Sequence, residues 1–326
     1  MNLRLELYDL AARHRLDEAA IRRLQALAGF AAEPPGAARW LPRVIAVLAA
    51  ALVGFGIILW IAANWDTLGR IGRFALLQGA VLAAGLGALL RPTARTPLAL
   101  LALLGIGGLF AYFGQTYQTG ADPWQLFALW AVLALPLCLA VRSDALWAPW
   151  ALLAMTGVSL WTYAHTGHRW RVGPEDLRAH GLGWIAAVLV TAFLAPALAR
   201  FTGAGAWAMR TAATLAIIMI SSSALVASIG HLGAWQYWLG LVVLLVAIGL
   251  YTLPESFDLY ALSAAALGAN VLIIAGVAHL LFKGIRGGDW IGMLLMVGLI
   301  AAGLLAATVS GILRLARARA ARGGAA

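Results

Sequence analysis

Two short polar stretches interrupt an otherwise apolar chain, and they hold the side chains best suited to chemistry. Asn64-Trp65-Asp66 ends one apolar run, and Gln115, Tyr117, Gln118 and Asp122 fall within a second stretch, Gly114 to Asp122. Together they offer two carboxylates, three side-chain amides and a phenol. That set can hold a polar head group, a sugar or a cation, and two carboxylates facing one cavity can do acid–base work. The same residue types also close helix ends. Asp66 precedes a possible short helix over 67–73, and Asp122 stands just before Pro123, where an N-cap residue belongs. Both readings stay open on the sequence.

Other chemistry finds less support. Five of the six histidines (His165, His168, His180, His231 and His279) lie near the ends of apolar runs. His165, His168 and His180 share a connection with Glu175 and Asp176. Imidazole and carboxylate together suit zinc or copper. However, no recognised ligand spacing is present, and Gly167 and Gly173-Pro174 point to an irregular loop of solvated histidines. No metal and no cofactor is expected. The single cysteine, Cys138, excludes an intrachain disulfide. Gly120-Ala121-Asp122 lacks the first glycine of the intramembrane aspartyl protease pattern. Gly-x-Ser-x-Gly, His-Glu-x-x-His and the phosphate loop are absent. The sequence therefore offers no enzyme motif, and an intramembrane enzyme built on the two carboxylates ranks last among the readings.

The elements that position these residues follow from composition. Of 326 residues, 63% are hydrophobic and 11% charged, against about 45–50% and about 25% in soluble domains. Mean hydropathy is +0.89. Disorder is excluded, and the long unbroken apolar runs exclude a β-barrel. The fold class is all-α, a polytopic membrane helix bundle. About ten apolar runs are long enough to span a bilayer: 44–63, 71–90, 97–117, 124–141, 145–163, 182–199, 211–229, 234–253, 259–282 and 290–313. Helices are required there, since lipid cannot hydrate free backbone groups.

Charge sets orientation. The net charge of +10 comes from 22 arginines and Lys283, most of them beside apolar runs, which suits membrane orientation rather than nucleic acid. With the N-terminus inside, 16 basic residues fall on the inner side and 7 on the outer. Both termini are therefore expected in the cytoplasm, and both polar stretches outside. Arg70 and Arg73 fit this least well, unless they ride a separate interfacial helix. Trp40, Trp65, Trp124, Trp184, Trp235 and Trp290 lie near span ends, as an interfacial belt requires. No charged residue lies mid-span, which counts against a proton pump or ion-coupled transporter. Small residues recur at four-residue spacing at Ala46, Ala50 and Gly54, at Gly79, Ala83 and Gly87, and at Gly303, Ala307 and Gly311. Gln78, Ser221 to Ser223, Asn270 and Thr308 are isolated polar residues within spans. The serine triplet is a candidate cavity lining, and Asn270 a candidate interhelical bond.

The expected organisation is a helical hairpin and linker over 1–40, a transmembrane domain over 41–314 and a basic cytoplasmic tail over 315–326. In the hairpin, one helix runs from Leu3 to about Arg13. A second runs from Asp17, as N-cap, to Ala28. The stretch Gly54 to Asp66, with its Ala62-Ala63-Asn64-Trp65-Asp66 ending, resembles the signature of the DUF2157 family of bacterial multi-pass membrane proteins of unknown function. Gly114 to Asp122 resembles a later motif of that family, and His14 to Ile21 its N-terminal helical segment. The resemblance covers about residues 1–140. It implies a multi-pass membrane protein and brings no activity or catalytic residue.

The leading functional expectation is an inner-membrane protein that binds or transports a small molecule or lipid. Its outward-facing site would be built from Asn64, Trp65, Asp66, Gln115, Tyr117, Gln118 and Asp122. The alternative is a scaffold or sensor subunit that engages a partner protein through residues 1–40, whose apolar face has little of its own to pack on.

Overall fold

In a computed structural model the described residues are 9–14, 16–28, 37–64, 69–117, 120–167, 172–230, 235–283 and 290–323. Every regular element among them is helical. The hairpin is seen from Asp9, with an Asp9–Arg13 ion pair at 2.7 Å. Helix α1 (Glu18–Leu27) follows. Asp17 caps it as expected, its carboxylate accepting from the Ala20 N–H at 2.8 Å.

The apolar runs form α2 (Ala37–Ala63), α3 (Arg70–Leu90), α4 (Arg95–Tyr117), α5 (Pro123–Val141), α6 (Asp144–His165) and α7 (Leu177–Phe193). The short α8 (Ala199–Thr202) precedes α9 (Ala206–Gly230), α10 (Trp235–Tyr251), α11 (Leu259–Phe282) and α12 (Trp290–Gly323). Among the described residues seven helices are long and apolar enough to cross a membrane. An eighth crossing exists if the bent pair Pro174–Phe193 and Pro196–Thr202 is one span, while Val44–Trp60 and α10 are shorter apolar helices. The protein is thus an all-helical membrane protein with seven to eight candidate spans by this measure.

Two expectations are corrected at element level, and one segment gains a secondary structure. The run 182–199 is not one straight helix: it bends by 53° after Phe193. Ala195 is extended (φ −65°, ψ 153°), the conformation forced on the residue before a proline, here Pro196. Arg70 and Arg73 do not ride a separate interfacial helix. They occupy the first turn of α3, where the Arg73 N–H bonds the Gly69 carbonyl at 3.1 Å. The basic segment after 314 continues α12 to Gly323, because alanine and arginine are both strong helix formers.

Packing runs along a line of four helices, α4, α6, α9 and α11. Helices α2 and α3 lie against α4, α5 against α4 and α6, α7 between α6 and α9, and α10 against α9 and α11. At the far extremity α12 packs on α11. One end of the bundle holds Tyr117, His165 and Trp235, and the opposite end holds Val141, Asp144, Phe193 and Tyr251.

Four tryptophans bind this line together, each donating its indole N–H to another helix. Trp130 reaches the Leu103 carbonyl (2.9 Å), Trp147 that of Thr202 (2.9 Å), Trp150 that of Ala131 (2.8 Å), and Trp184 the Ser223 hydroxyl (3.1 Å). Buried indoles keep such a partner because an unmet N–H in lipid is costly. Trp184, expected in an interfacial belt, is 5% exposed and belongs to this interior set. Trp235 and Trp290 do stand exposed at helix starts.

At the Asp144 end two side chains clamp the joint between α8 and α9. The Asp144 carboxylate accepts from the N–H groups of Gly205 (2.8 Å), Trp207 (3.0 Å) and Ala208 (3.2 Å). It thus meets the positive end of α9. Arg142 donates to the carbonyls of Arg200 and Phe201 at the end of α8. Nearby, Arg210 pairs with Asp258 at 2.9 Å, and Asp258 also caps α11 through the Ala261 N–H.

Small-residue rows serve unevenly. Gly54 meets Leu101 and Leu104, and Gly87 meets Leu98, whereas nothing lies against Gly79, Gly303 or Gly311. The expected interhelical bond of Asn270 is present, its amide donating to Thr308 Oγ1 at 3.1 Å.

Candidate functional site

The two sequence motifs end helices that run parallel. Gly54 faces Leu101 and Leu104, and Ile58 faces Gly108 four residues further along. Extending that register brings Asn64 level with the Gly114–Gln115 turn of α4. The motifs therefore lie at the same end of the bundle. Asn64 closes α2 from both its backbone and its side chain: the N–H and the amide Nδ2 reach the Trp60 carbonyl at 3.0 and 2.9 Å. Gln115 is exposed and Tyr117 half-exposed. Trp65, Asp66 and Gln118 lie outside the described residues. Gly120 turns the chain with φ +63°, a conformation glycine adopts without a Cβ clash. Asp122 then takes the N-cap position of α5 ahead of Pro123. Its backbone is extended, as expected there, but its carboxylate makes no capping hydrogen bond.

Helix α3 completes the end from the opposite direction. The Tyr112 hydroxyl donates to the Arg70 carbonyl at 3.3 Å, and its buried ring lies 4.6 Å from that of Phe74. Tyr117 sits 4.7 Å from Phe113 and 6.0 Å from Phe74. The rings of Phe74, Phe113 and Tyr117, with Gln78, Leu109 and Phe110, wall a pocket of about 350 Å³ between α3 and α4. Gln78 is thus not the buried isolated amide its place in a span suggests; it is exposed and lines this pocket. Arg70 and Arg73 open α3 at the same level. The slot's own polar groups are the Gln78 amide and the Tyr117 hydroxyl, and Asn64, Gln115, Asp122, Arg70 and Arg73 stand at the same end of the bundle. An amphiphile can lay an apolar portion on the rings and a polar portion on these groups.

The structure therefore gathers Asn64, Gln115, Tyr117 and Asp122 at one end and adds four residues the sequence reading missed: Phe74, Gln78, Phe110 and Phe113. Their signal was available. Phe74 follows Arg70 by one helical turn, and Phe113 precedes Tyr117 by one, so each helix presents an aromatic beside a polar residue.

The histidines separate. His165 ends α6, where its ring stacks on Trp161 at 4.3 Å and its Nδ1 lies 2.8 Å from the Trp161 carbonyl. His180 is not a solvated loop residue. It is 5% exposed inside α7, because the helix starts at Leu177, directly after the Pro174–Asp176 turn. His168 and His231 lie outside the described residues. Among the described residues no three His, Cys, Asp or Glu side chains cluster as metal ligands would. Two members of the serine triplet, Ser222 and Ser223, do line a cavity, one formed by α6, α7 and α9 rather than by the motif helices. Ser221 turns instead to Gly268 of α11.

No curated protein and no solved structure matches the chain. Residues 8–147, which include both motifs and the aromatic slot, match the model of the DUF2157 family, predicted membrane protein.

Proposed function

We propose that the chain is a ten-span protein of the bacterial inner membrane, with both termini in the cytoplasm, that binds a small molecule or lipid at its outward-facing end. Seven long spans, the bent pair as one more, and the apolar helices Val44–Trp60 and Trp235–Tyr251 together support ten crossings. Arg142, Arg200, Arg210, Arg314, Arg317 and Arg319 gather at the Asp144 end, which supports that end as cytoplasmic. The binding site comprises Asn64, Trp65, Asp66, Gln115, Tyr117, Gln118 and Asp122, with the rings of Phe74 and Phe113 beneath them. One observation carries this reading: an aromatic slot that holds the Gln78 amide and the Tyr117 hydroxyl opens at the end of α4, where the motif residues stand.

The test is the lipid and metabolite content of protein purified gently into nanodiscs, compared with the Tyr117→Ala and Gln115→Ala variants. Mass spectrometry should find a species enriched over bulk lipid in the parent and depleted in both variants. Equal content in all three would remove the site.

A second reading rests on the hairpin. Leu10 is 47% and Leu27 85% exposed, an apolar surface suited to a partner protein. Deleting residues 1–36 separates the two. A binding protein keeps its ligand, whereas a partner-dependent subunit loses its complex.

A further inference from the structure

A second cavity with mixed lining is distinct from the motif slot. It occupies about 450 Å³ between α6, α7 and α9, in the half of the bundle nearer His165. That volume falls within the ordinary small-molecule range of about 300–1,000 Å³. Its walls are mainly apolar, from Leu160, Leu215, Ile218 and Val226 among others. Ser159 and Ser222, from facing helices, stand exposed beside it, and Ile218 is 56% exposed. The mouth therefore opens sideways, toward where bilayer lipid lies, and not along the bundle axis.

Most of its polar groups are hydroxyls. Among the described residues no Asp, Glu, Lys or Arg lines it. Most hydroxyl protons are already donated within their own helices. Thr156 gives its proton to the Leu152 carbonyl, Thr162 to that of Val158, and Ser222 to that of Met219. Ser223 likewise bonds the Met219 carbonyl at 2.7 Å and accepts the Trp184 indole N–H. What such hydroxyls leave toward the cavity is oxygen lone pairs. His180 is the exception. It lines the cavity, is 95% buried by its 5% exposure, and its Nδ1 has no hydrogen-bond partner. A buried ring nitrogen without a partner is rare enough to require an explanation, and a bound ligand is one.

We infer that the α6–α7–α9 cavity is a second, membrane-accessed binding site for an uncharged amphiphile with a hydroxyl head, a long-chain alcohol or monoacylglycerol. The head group meets the His180 imidazole and the hydroxyl oxygens near Ser222, and a single chain leaves through the mouth beside Ile218. The described walls offer no counter-charge to a carboxylate or quaternary ammonium head, and such a head is costly to desolvate in a low-dielectric site. The inference is independent of the motif-end reading, because the two pockets share no residue.

The test uses the full chain in nanodiscs of neutral phospholipid. Three photoreactive diazirine probes share one chain and differ in head group: alcohol, carboxylate and trimethylammonium. The alcohol should label peptides from 155–166 and 215–226 preferentially. Ser222→Leu, which narrows the mouth from a lipid-facing position, and His180→Phe, which keeps ring volume but removes the nitrogen, should each cut that labelling by about tenfold, as expected for one lost hydrogen bond or a blocked entrance. Tyr117→Ala should leave it unchanged. Equal labelling by the charged probes, labelling spread evenly over all lipid-facing helices, or labelling untouched by Ser222→Leu would each overturn the inference. Because Ser222 is exposed, that variant keeps the test decisive even if His180→Phe fails to fold.

Discussion

The motif end of the bundle and its centre are packed differently, with α4 shared between them. In α3 only 17% of the most apolar window is buried, whereas in α6 and α9 the share is 44%. The motif helices are held by aromatic contacts at one end and by glycine approaches along α2 and α4. The central helices are held by indole hydrogen bonds, the Asp144 clamp and a contiguous core of Trp147, Trp150 and Phe193, with ring centroids 5.3–5.9 Å apart. Lightly packed elements open at low free-energy cost and tolerate a guest, while densely packed ones act as a frame. The division sets a lightly packed region beside a densely packed one, and it makes unequal demands on mutation.

The largest effect is expected at Trp147, which is fully buried. Trp147→Ala should destabilise the fold by about 3–5 kcal/mol, from the lost ring volume and the orphaned Thr202 carbonyl. Thermal unfolding in a mild detergent reads this directly. A loss below about 1 kcal/mol would mean that the central line is not the frame, since full burial of so large a side chain cannot be cheap to remove. Asp144→Ala should follow at about 2–3 kcal/mol, since a charged acceptor leaves three N–H groups of the α9 start unmet. Asp144→Asn should recover part of that loss, because the amide oxygen still accepts.

Much of this frame was legible in advance, and the reasons for the exceptions are physical. Length and hydropathy placed the seven long apolar helices, because a span must be apolar for its whole length. The bend after Phe193 was written in Pro196 but was outweighed by the apolar run around it. Tryptophan misled at Trp184. An indole near a span end satisfies an interfacial belt and an interior hydrogen bond equally well, and only the facing Ser223 decides between them. His180 was read as loop because Gly173 and Pro174 precede it, yet a proline in the first turn opens a helix as readily as it ends one. At the motif end the polar residues were found and the aromatic slot was not, since Phe74 belongs to the intervening helix. The cavity of α6, α7 and α9 was harder still. Thr156, Ser159, Thr162 and Thr166 repeat at helical spacing and show a hydroxyl stripe in sequence, but which helix it faces is a property of packing alone.

At the motif end the expectation reverses. Tyr117 is 49% exposed and touches two rings, so Tyr117→Ala should cost only about 1 kcal/mol, the scale of aromatic pair contacts. Its effect on bound species should nonetheless exceed that of any variant in the frame that still folds. A Tyr117→Ala protein as unstable as Asp144→Ala would erase the distinction between the regions, because the tyrosine would then be holding the fold and not a ligand.

The smallest effect tests the far extremity, where the contrast is sharpest. None of the most apolar window of α12 is buried, and it packs on α11. Within the bilayer the polar tie between them is Asn270 to Thr308, at 3.1 Å, and Thr308 also bonds its own helix at the Leu304 carbonyl. Because Thr308 has that intrahelical alternative, separating the helices does not strand its hydroxyl proton, and the net gain from the pair is small. A double-mutant cycle over Asn270→Ala and Thr308→Ala should give a coupling of about 0.6 kcal/mol, the usual size for hydrogen bonds between membrane helices. A coupling above about 2 kcal/mol would mean that α12 is fastened as firmly as the central helices. A coupling near that small value would leave its position to apolar contact with α11 and to the basic end, where the Arg319 guanidinium bonds the Thr252 carbonyl and lies 4.4 Å from the Phe257 ring. Helix α12 is then hinged at that end and loosely held along its length, as the motif helices are on the other side of the frame.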